Sequence, residues 1–263
     1  MSTLIRDYER FAKEAKEICK GRVYTDHLRR YAYGVDASCY SYLPKVVVKA
    51  EDEREVRRLI RLCQQCGTPF TFRAAGSSLS GQCSSEDVLI VCNDGFKKME
   101  VIDDGKALKC ECGVIGSDAN DLLKPYNRKI GPDPATLATA LVGGILNNNS
   151  SGMCCGTAQN SYKTIRSIRV VLLDGSILDT SDQKSIDQFL KEKPQMVEDI
   201  LQLRKDILAD EELTHLIHHK YKIKNTTGYG LNSLVDFEDI IDIINHLFIG
   251  SEGTLGFVSE IVY

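Results

Sequence analysis

The sequence predicts a chain of mixed helix and sheet, laid out as two successive units. Three observations carry this: a strand–helix–strand run between residues 45 and 92, a second series of strands and helices starting near 99, and three glycine-rich segments set among them. With 263 residues, 43% hydrophobic and 27% charged, the chain has ample material for one large domain or two small ones.

The elements read in order as follows. Ser2 to Cys19 has the spacing of an amphipathic helix, with Ile5, Tyr8, Phe11, Ala12, Ala15 and Ile18 inward. Lys45 to Lys49 is a β-branched strand. The helix from Asp52 to Cys66 follows, with Val56, Leu59, Ile60 and Cys63 as an i, i+3, i+4, i+7 stripe and Gly67 as its C-cap. Strands at 69–73 and at Val88 to Cys92 complete the first unit. In the second, Met99 to Ile102 and Ala107 to Gly113 pair across Asp103 to Lys106. Ile115 to Tyr126 is a helix, and Gly131 to Pro134 a corner. Ile165 to Leu173 and Ser176 to Asp179 form a hairpin across Asp174-Gly175. Ser185 to His219 reads as a charged, mostly helical, solvated excursion. Ile240 to Phe248 is an apolar helix that leads into a final strand, Leu255 to Tyr263. The chain stops inside that strand with no polar tail, which is expected of a piece of a longer polypeptide.

Thr71 to Gln82 holds the most informative chemistry. A β-rich run feeds into Ala74, Ala75, Gly76, Ser77 and Ser78, whose small side chains let successive backbone N–H groups approach an anion. Taken alone, an ordinary Gly/Ser turn explains the segment equally well. Two further segments of the same character, Gly143 to Gly156 and Gly250 to Gly256, favour a shared phosphate-bearing ligand over three unrelated turns.

Other signals exclude functions. A net charge of −4 gives no pull toward nucleic acid or anionic lipid. No apolar run is long enough for a bilayer, and Met1 to Arg6 lacks a secretory pattern, so the expected location is cytoplasmic, with a peripheral place at the inner membrane face left open. The ten cysteines form no regular disulfide framework. Cys63 and Cys66 have redox spacing, but no second pair completes a metal set, and their place on a helix face reads as packing. His215 and His219 are spaced i, i+4, yet Leu216 stands where a zinc protease needs glutamate, so His215, His218 and His219 read as a solvated helix-terminal cluster, with no metal expected. Neither G-x-G-x-x-G nor a P-loop is present, and Gly228-Tyr-Gly230 is only half of the first.

Five segments in order over residues 45–263, "FTFRAAGSSLSGQ", "IGPDPATLATALVGGILNNNSSG", "VVLLDGSILDT", "NTTGYG" and "FIGSEGTLGF", resemble the flavin-binding domain of the vanillyl-alcohol-oxidase (PCMH) superfamily. Within it they are most similar to the FAD-linked D-lactate, glycolate and D-2-hydroxyglutarate dehydrogenases. The resemblance implies an α+β fold of two subdomains, 1–98 and 99–263, that clamp a dissociable FAD. The residues between "NTTGYG" and "FIGSEG" lean toward large members with a C-terminal iron–sulfur region. By the resemblance, Arg73, Ala74, Ala75, Gly76, Ser77, Ser78 and Leu79 wrap the pyrophosphate, while Pro132, Asp133 and Thr136 lie along the flavin and ribityl side. Gly143 and Gly144 permit close approach, Asn148, Asn149, Ser151 and Gly152 supply hydrogen bonds, and Glu252, Gly253, Gly256 and Val258 close the adenine and ring side.

The implied reaction is hydride transfer from a D-2-hydroxy acid to FAD, with electrons passed to a quinone, cytochrome or iron–sulfur acceptor. Catalytic and metal-binding residues are expected beyond the end of this chain, which alone is expected to turn over substrate poorly. The family commonly has Asn-Ala-Gly-Gly where this chain has Asn149 to Gly152, and Ser77 and Ser78 stand where some members tether flavin through histidine. Two rivals remain at this point: a reductase of cell-wall precursors on the same fold using NADPH, and a non-catalytic flavin- or nucleotide-binding subunit.

Overall fold

The structure is a computed structural model, described for residues 6–263. The sequence's own punctuation sets its first elements. Helix α1 (Tyr8–Ile18) is capped by the Asp7 carboxylate and buries Phe11, Ala12 and Ala15; the part of the expected helix before residue 6, with Ile5, lies outside the described residues. Two short elements not expected from sequence follow, β1 (Val23–Tyr24) and α2 (His27–Ala32). Then come β2 (Val46–Lys49), α3 (Glu53–Cys66), β3 (Phe70–Arg73) and β4 (Val88–Val91). In α3 the Asp52 side chain accepts from Glu55 N, and Gly67 closes the helix at φ 63°. Its predicted stripe is fully buried, and at about 1.5–3 kcal/mol per large apolar side chain this packing outweighs any helix propensity.

These strands form a four-stranded sheet in the order β1-β2-β4-β3, parallel except for β1. Alternation sends Val46, Val48, Val88 and Ile90 toward α1 and α3, and Val47, Leu89 and Val91 toward Tyr24 and Tyr33. Both faces are covered, which is why the strands read as unbroken apolar runs.

The second sheet is antiparallel throughout and ordered β5-β6-β9-β7-β8, from β5 (Met99–Ile102), β6 (Ala107–Glu111), β7 (Ser167–Leu172), β8 (Ile177–Asp179) and β9 (Gly256–Val262). The β7–β8 turn spans Leu173, Asp174 and Gly175, with Gly175 at φ 79° and its N–H donating to Leu172 O. It is a three-residue loop rather than a two-residue one centred on Asp-Gly, because Asp174 keeps an ordinary φ and instead accepts from Ser176. Helices α4 (Gly116–Leu123), α5 (Val142–Asn148) and α6 (Ser161–Thr164) lie between β6 and β7. A short 3-10 turn over Lys124–Tyr126 replaces the end of the helix expected to reach Tyr126.

Residues 183–220 form three helices, α7 (Gln183–Glu192), α8 (Pro194–Ala209) and α9 (Glu211–Lys220); α10 (Ser233–Asp236) and α11 (Ile240–Leu247) follow. The excursion is less solvated than expected: Ile207 and Ile217 bury against Leu234 and Ile243 in a separate small core, and Phe189 joins the main core of the second unit. His215, His218 and His219 are exposed in the last turns of α9, and among the described residues no cluster of metal-binding side chains occurs. Among them, too, no helix is long and apolar enough to cross a membrane.

The two sheets meet through aromatic and ionic contacts. Phe257 of β9 sits 5.0 Å from Phe72 and 5.2 Å from Phe96, ring centre to ring centre. Arg169 of β7 donates to both carboxylate oxygens of Glu53 at 2.8 and 3.1 Å, and to Asp179 at 3.1 Å. Ser259 also donates to Glu53 at 2.8 Å. Burial would raise the Glu53 pKa, but Arg169 and Ser259 hold it below the usual carboxylate range.

Candidate functional site

The exit of β3, helix α5 with the residues after it, and the corner before β9 line one crevice of about 1030 Å³. Had the three glycine-rich segments faced different sides of the molecule, no common ligand would fit them. They converge.

The first wall is the run after Arg73. Among the described residues, the backbone N–H groups of Ala74, Ala75, Gly76, Ser77, Ser78 and Leu79 donate no hydrogen bond to protein. Six successive free donors, five of them on small residues and all at least partly exposed, offer a nest to an anion. The Arg73 guanidinium is committed elsewhere: it donates to Tyr33 O at 2.9 Å and to Val35 O at 2.7 Å, while Ala37 N donates to Gly76 O at 3.1 Å. Residues 33–37 thereby clasp the loop and fix its shape. Gly76 has φ 74°, and a Cβ there would lie 2.3 Å from the Arg73 guanidinium.

The second wall corrects a sequence expectation. Gly143 and Gly144 are not in a loop but in the first turn of α5. A Cβ on Gly143 would meet the Cys112 Cβ at 2.6 Å, so glycine lets the helix press on β6; a Cβ on Gly144 would come within 3.2 Å of Ala74 Cβ across the crevice. Asn148 donates to Glu252 Oε1 at 2.6 Å and accepts from Ser150 at 2.8 Å. Asn149 ends the helix at φ 51° and faces away from the crevice. Ser151 lines the crevice and is 5% exposed, and its hydroxyl has no partner among the described residues. A buried hydroxyl in that state is expected to meet a ligand or water.

Asp133 anchors the loop that follows. Its carboxylate accepts from Gly152 N at 2.9 Å and from Cys154 N and Cys155 N at 3.2 Å. The Cys155 thiol first, and then these N–H groups, hold its pKa down to about 2. Thr136 also lines the crevice, whereas Pro132 is buried and does not line it.

The third wall is the corner before β9. Glu252 takes φ 53°, its N–H donates to Asn147 O at 2.9 Å, and Ser251 donates to Asn147 Oδ1 at 3.1 Å. Burial raises the Glu252 pKa, opposed by hydrogen bonds from Asn148 and Gln82. Gly253, Gly256 and Val258 complete the lining, and Phe72, Cys92, Cys112 and Phe257 make an apolar floor. Eighteen of the twenty residues singled out from sequence line this crevice; Pro132 and Asn149 do not. Phe72, Gln82, Asn147 and Phe257 lie inside the motif segments but were given no role there, and Cys92, Cys112 and Lys224 stand outside any motif; only the alternation of β3 and β9 marks Phe72 and Phe257 as inward.

Two sheets braced over a crevice of this volume, with an anion nest on one wall and an apolar floor, define a dinucleotide-binding domain. The sequence pattern of a family described as "FAD binding domain" matches residues 44–181, just over half of the chain. D-2-hydroxyglutarate dehydrogenase of Pantoea ananatis is 26% identical over 247 residues, covering 91% of this chain and 24% of that protein. The enzyme of that name from Escherichia coli is 25% identical over 257 residues, with 91% and 24% covered. Glycolate oxidase subunit GlcD of Bacillus subtilis is 24% identical, with 89% and 39% covered. The chain thus spans about a quarter of the length of the D-2-hydroxyglutarate dehydrogenases it matches.

Among solved structures, alkyldihydroxyacetonephosphate synthase superposes with a TM-score of 0.64 at 18% identity, over 100% of this chain and 41% of that one. BBE-like 1 of Physcomitrella patens gives 0.60 at 12%, over 96% and 43%. These likenesses bear out the α+β PCMH-type fold. The chain belongs to the FAD binding domain family, and FAD is its cofactor. The free N–H groups of 74–79, the unpartnered Ser151 hydroxyl and the apolar floor fit that cofactor's diphosphate, polar edges and flat ring.

Proposed function

We propose that this chain is the FAD-binding portion of an oxidoreductase that oxidises a D-2-hydroxy acid of the lactate, glycolate or 2-hydroxyglutarate class. The nest of free N–H groups inside the shared crevice carries the cofactor part of this reading. The names of the similar proteins support the substrate class. When bound, FAD supplies a hydride acceptor whose electrons leave to a further acceptor, a quinone, cytochrome or iron–sulfur centre.

The chain's own residues bind and orient. Ala74 to Leu79 hold the diphosphate by backbone N–H donation, with Arg73 positioning their loop through the Tyr33 and Val35 carbonyls. Asp133 keeps residues 152–155 in place, and the Asn148–Glu252 bond joins the second and third walls. Cys92, Cys112, Phe72 and Phe257 exclude water from the floor. Gly256 and Val258 lie on the ring side.

We further propose a cytoplasmic location, a division into units 1–98 and 99–263, and dissociable cofactor, since serines occupy 77 and 78. We propose too that this chain alone turns over hydroxy acids poorly. An absorbance spectrum with FAD titration tests the reading: saturable binding with a flavin band supports it, and absence of binding overturns it. Flavin mass retained on the denatured chain refutes dissociable FAD. Robust D-lactate or D-2-hydroxyglutarate oxidation by these 263 residues refutes the division of labour.

A further inference from the structure

The segment between α9 and α10 touches two walls of the crevice. On the second wall, the Lys224 ammonium donates to Ser151 O, and Asn149 Nδ2 donates to Asn225 O at 3.4 Å. On the third, the Tyr229 and Thr254 hydroxyls share a hydrogen bond at 2.7 Å, and a Cβ on Gly250 would lie 2.8 Å from Gly228 O. Between these contacts, Lys224, Thr226 and Thr227 line the crevice. Asn149, a cofactor contact by the family resemblance, thus holds a segment that lines the cofactor site.

The ends of this segment are fixed and its middle is not. Tyr221 N donates to Ile217 O in α9 at 3.1 Å, and Ser233 N donates to Gly230 O at 2.9 Å where α10 begins. Among the described residues, by contrast, residues 223–228 make no backbone–backbone hydrogen bond. Ile223, Lys224, Thr227, Gly228 and Tyr229 are exposed. Every hydrogen bond that ties residues 223–229 to a wall therefore involves a side chain, and such bonds exchange for water at small net cost. A segment with few backbone bonds and little burial opens far more readily than the sheets beside it. Gly228 sits at φ 125°, a conformation that glycine tolerates and other residues rarely adopt.

We propose that residues 222–230 are a strap that FAD must pass on entering and leaving the crevice, with the Tyr229–Thr254 and Lys224–Ser151 bonds as its latches. The inference rests on the assignment of FAD to that crevice. Both latches join protein groups alone, so they oppose opening in the same way before and after the cofactor enters. They set the rates of exchange and leave the affinity to the walls.

Stopped-flow mixing of the 263-residue chain with FAD, followed by flavin fluorescence, gives the association rate, and dilution of the complex gives the dissociation rate. Tyr229→Phe removes only the hydroxyl that bonds Thr254, and neither residue lines the crevice. It is expected to raise both rates about fivefold and to leave Kd within about twofold of wild type. Gly228→Ala adds a Cβ that meets nothing within 4 Å, so it strains the latched backbone alone and is expected to raise both rates about fivefold or more. Tyr229→Phe decides, and Gly228→Ala decides if that variant misfolds. Unchanged rates, or faster dissociation matched by an equal loss of affinity, make these residues a fixed wall and overturn the strap alone. A wild-type chain that binds no FAD overturns the crevice reading and the strap with it.

Discussion

Replacing Asp133 by Asn changes one atom and removes one charge, which isolates what that carboxylate does for the crevice. Wild-type Asp133 accepts from three backbone N–H groups, at 2.9 Å from Gly152 and at 3.2 Å from Cys154 and Cys155. Hydrogen bonds to charged groups contribute about 1.5–3 kcal/mol each, and neutral ones about 0.5–1.5 kcal/mol. The amide oxygen can keep the bonds from Gly152 and Cys155, both made to Oδ1, in neutral form. At Oδ2 an NH2 group would face the Cys154 N–H, donor against donor. Allowing for partial exposure, the loss at pH 7 is about 2–3 kcal/mol. Urea unfolding of the FAD-free chain reads it, and FAD affinity should weaken roughly tenfold as residues 151–155 lose their anchor. The wild-type carboxyl titrates near 2, below the ordinary value of about 3.9. Its stabilisation is therefore complete above about pH 4 and is lost as pH falls through about 2, so Asp133→Asn should flatten that part of the acid limb. A stability change under about 0.5 kcal/mol with unchanged FAD affinity would refute the anchoring role.

Other variants address other contacts. Gly76→Ala forces a side chain into the left-handed region against a tethered guanidinium, at a cost of about 1–2 kcal/mol, and should weaken FAD binding; unchanged affinity in a folded variant would count against the nest. Arg169→Ala should lower stability by about 1–3 kcal/mol because Glu53 and Asp179 lose their shared partner, with Arg169→Lys only partly restoring it; denaturant midpoints equal to wild type would contradict this. Exposed Cys39 and Cys154 should react with a thiol reagent at pH 8, whereas Cys19, Cys63 and Cys110, which burial pushes up to about 12, should react only after unfolding. Fast labelling of those three in native protein would refute the packing.

Legibility in the sequence followed the range of the forces involved. Asp52 and Gly67 bracket α3 by contacts within four residues, so its limits and its inward stripe were readable. The motif segments located most of the crevice because small residues in a row leave few other uses for the backbone. Helix α5 was not anticipated within its glycine-rich segment because it is seven residues long, has no side-chain cap, and carries two glycines whose reasons, Cys112 for Gly143 and Ala74 for Gly144, lie far away in the sequence. Phe189, Ile207 and Ile217 sit among charged residues, and nothing local shows that Ile207 and Ile217 share a core with Leu234 and Ile243. Arg73 and Asp133 were cofactor contacts by the family resemblance; only the structure reveals the Tyr33 and Val35 carbonyls and the 152–155 amides that occupy them.

The order β5-β6-β9-β7-β8 puts residues 256–262 in the middle of their sheet. As the polypeptide emerges from the ribosome, residues 23–91 can pair and pack early. The hairpins β5–β6 and β7–β8 must instead wait, each with one raw edge, until the final strand slots between them. Loop closure across some 150 residues makes that step slow, and the two waiting edges are natural templates for pairing between molecules. Newly made chains are therefore most prone to aggregate just before residues 256–262 become free to pair, and slower translation shortly after residue 250 would lengthen that window.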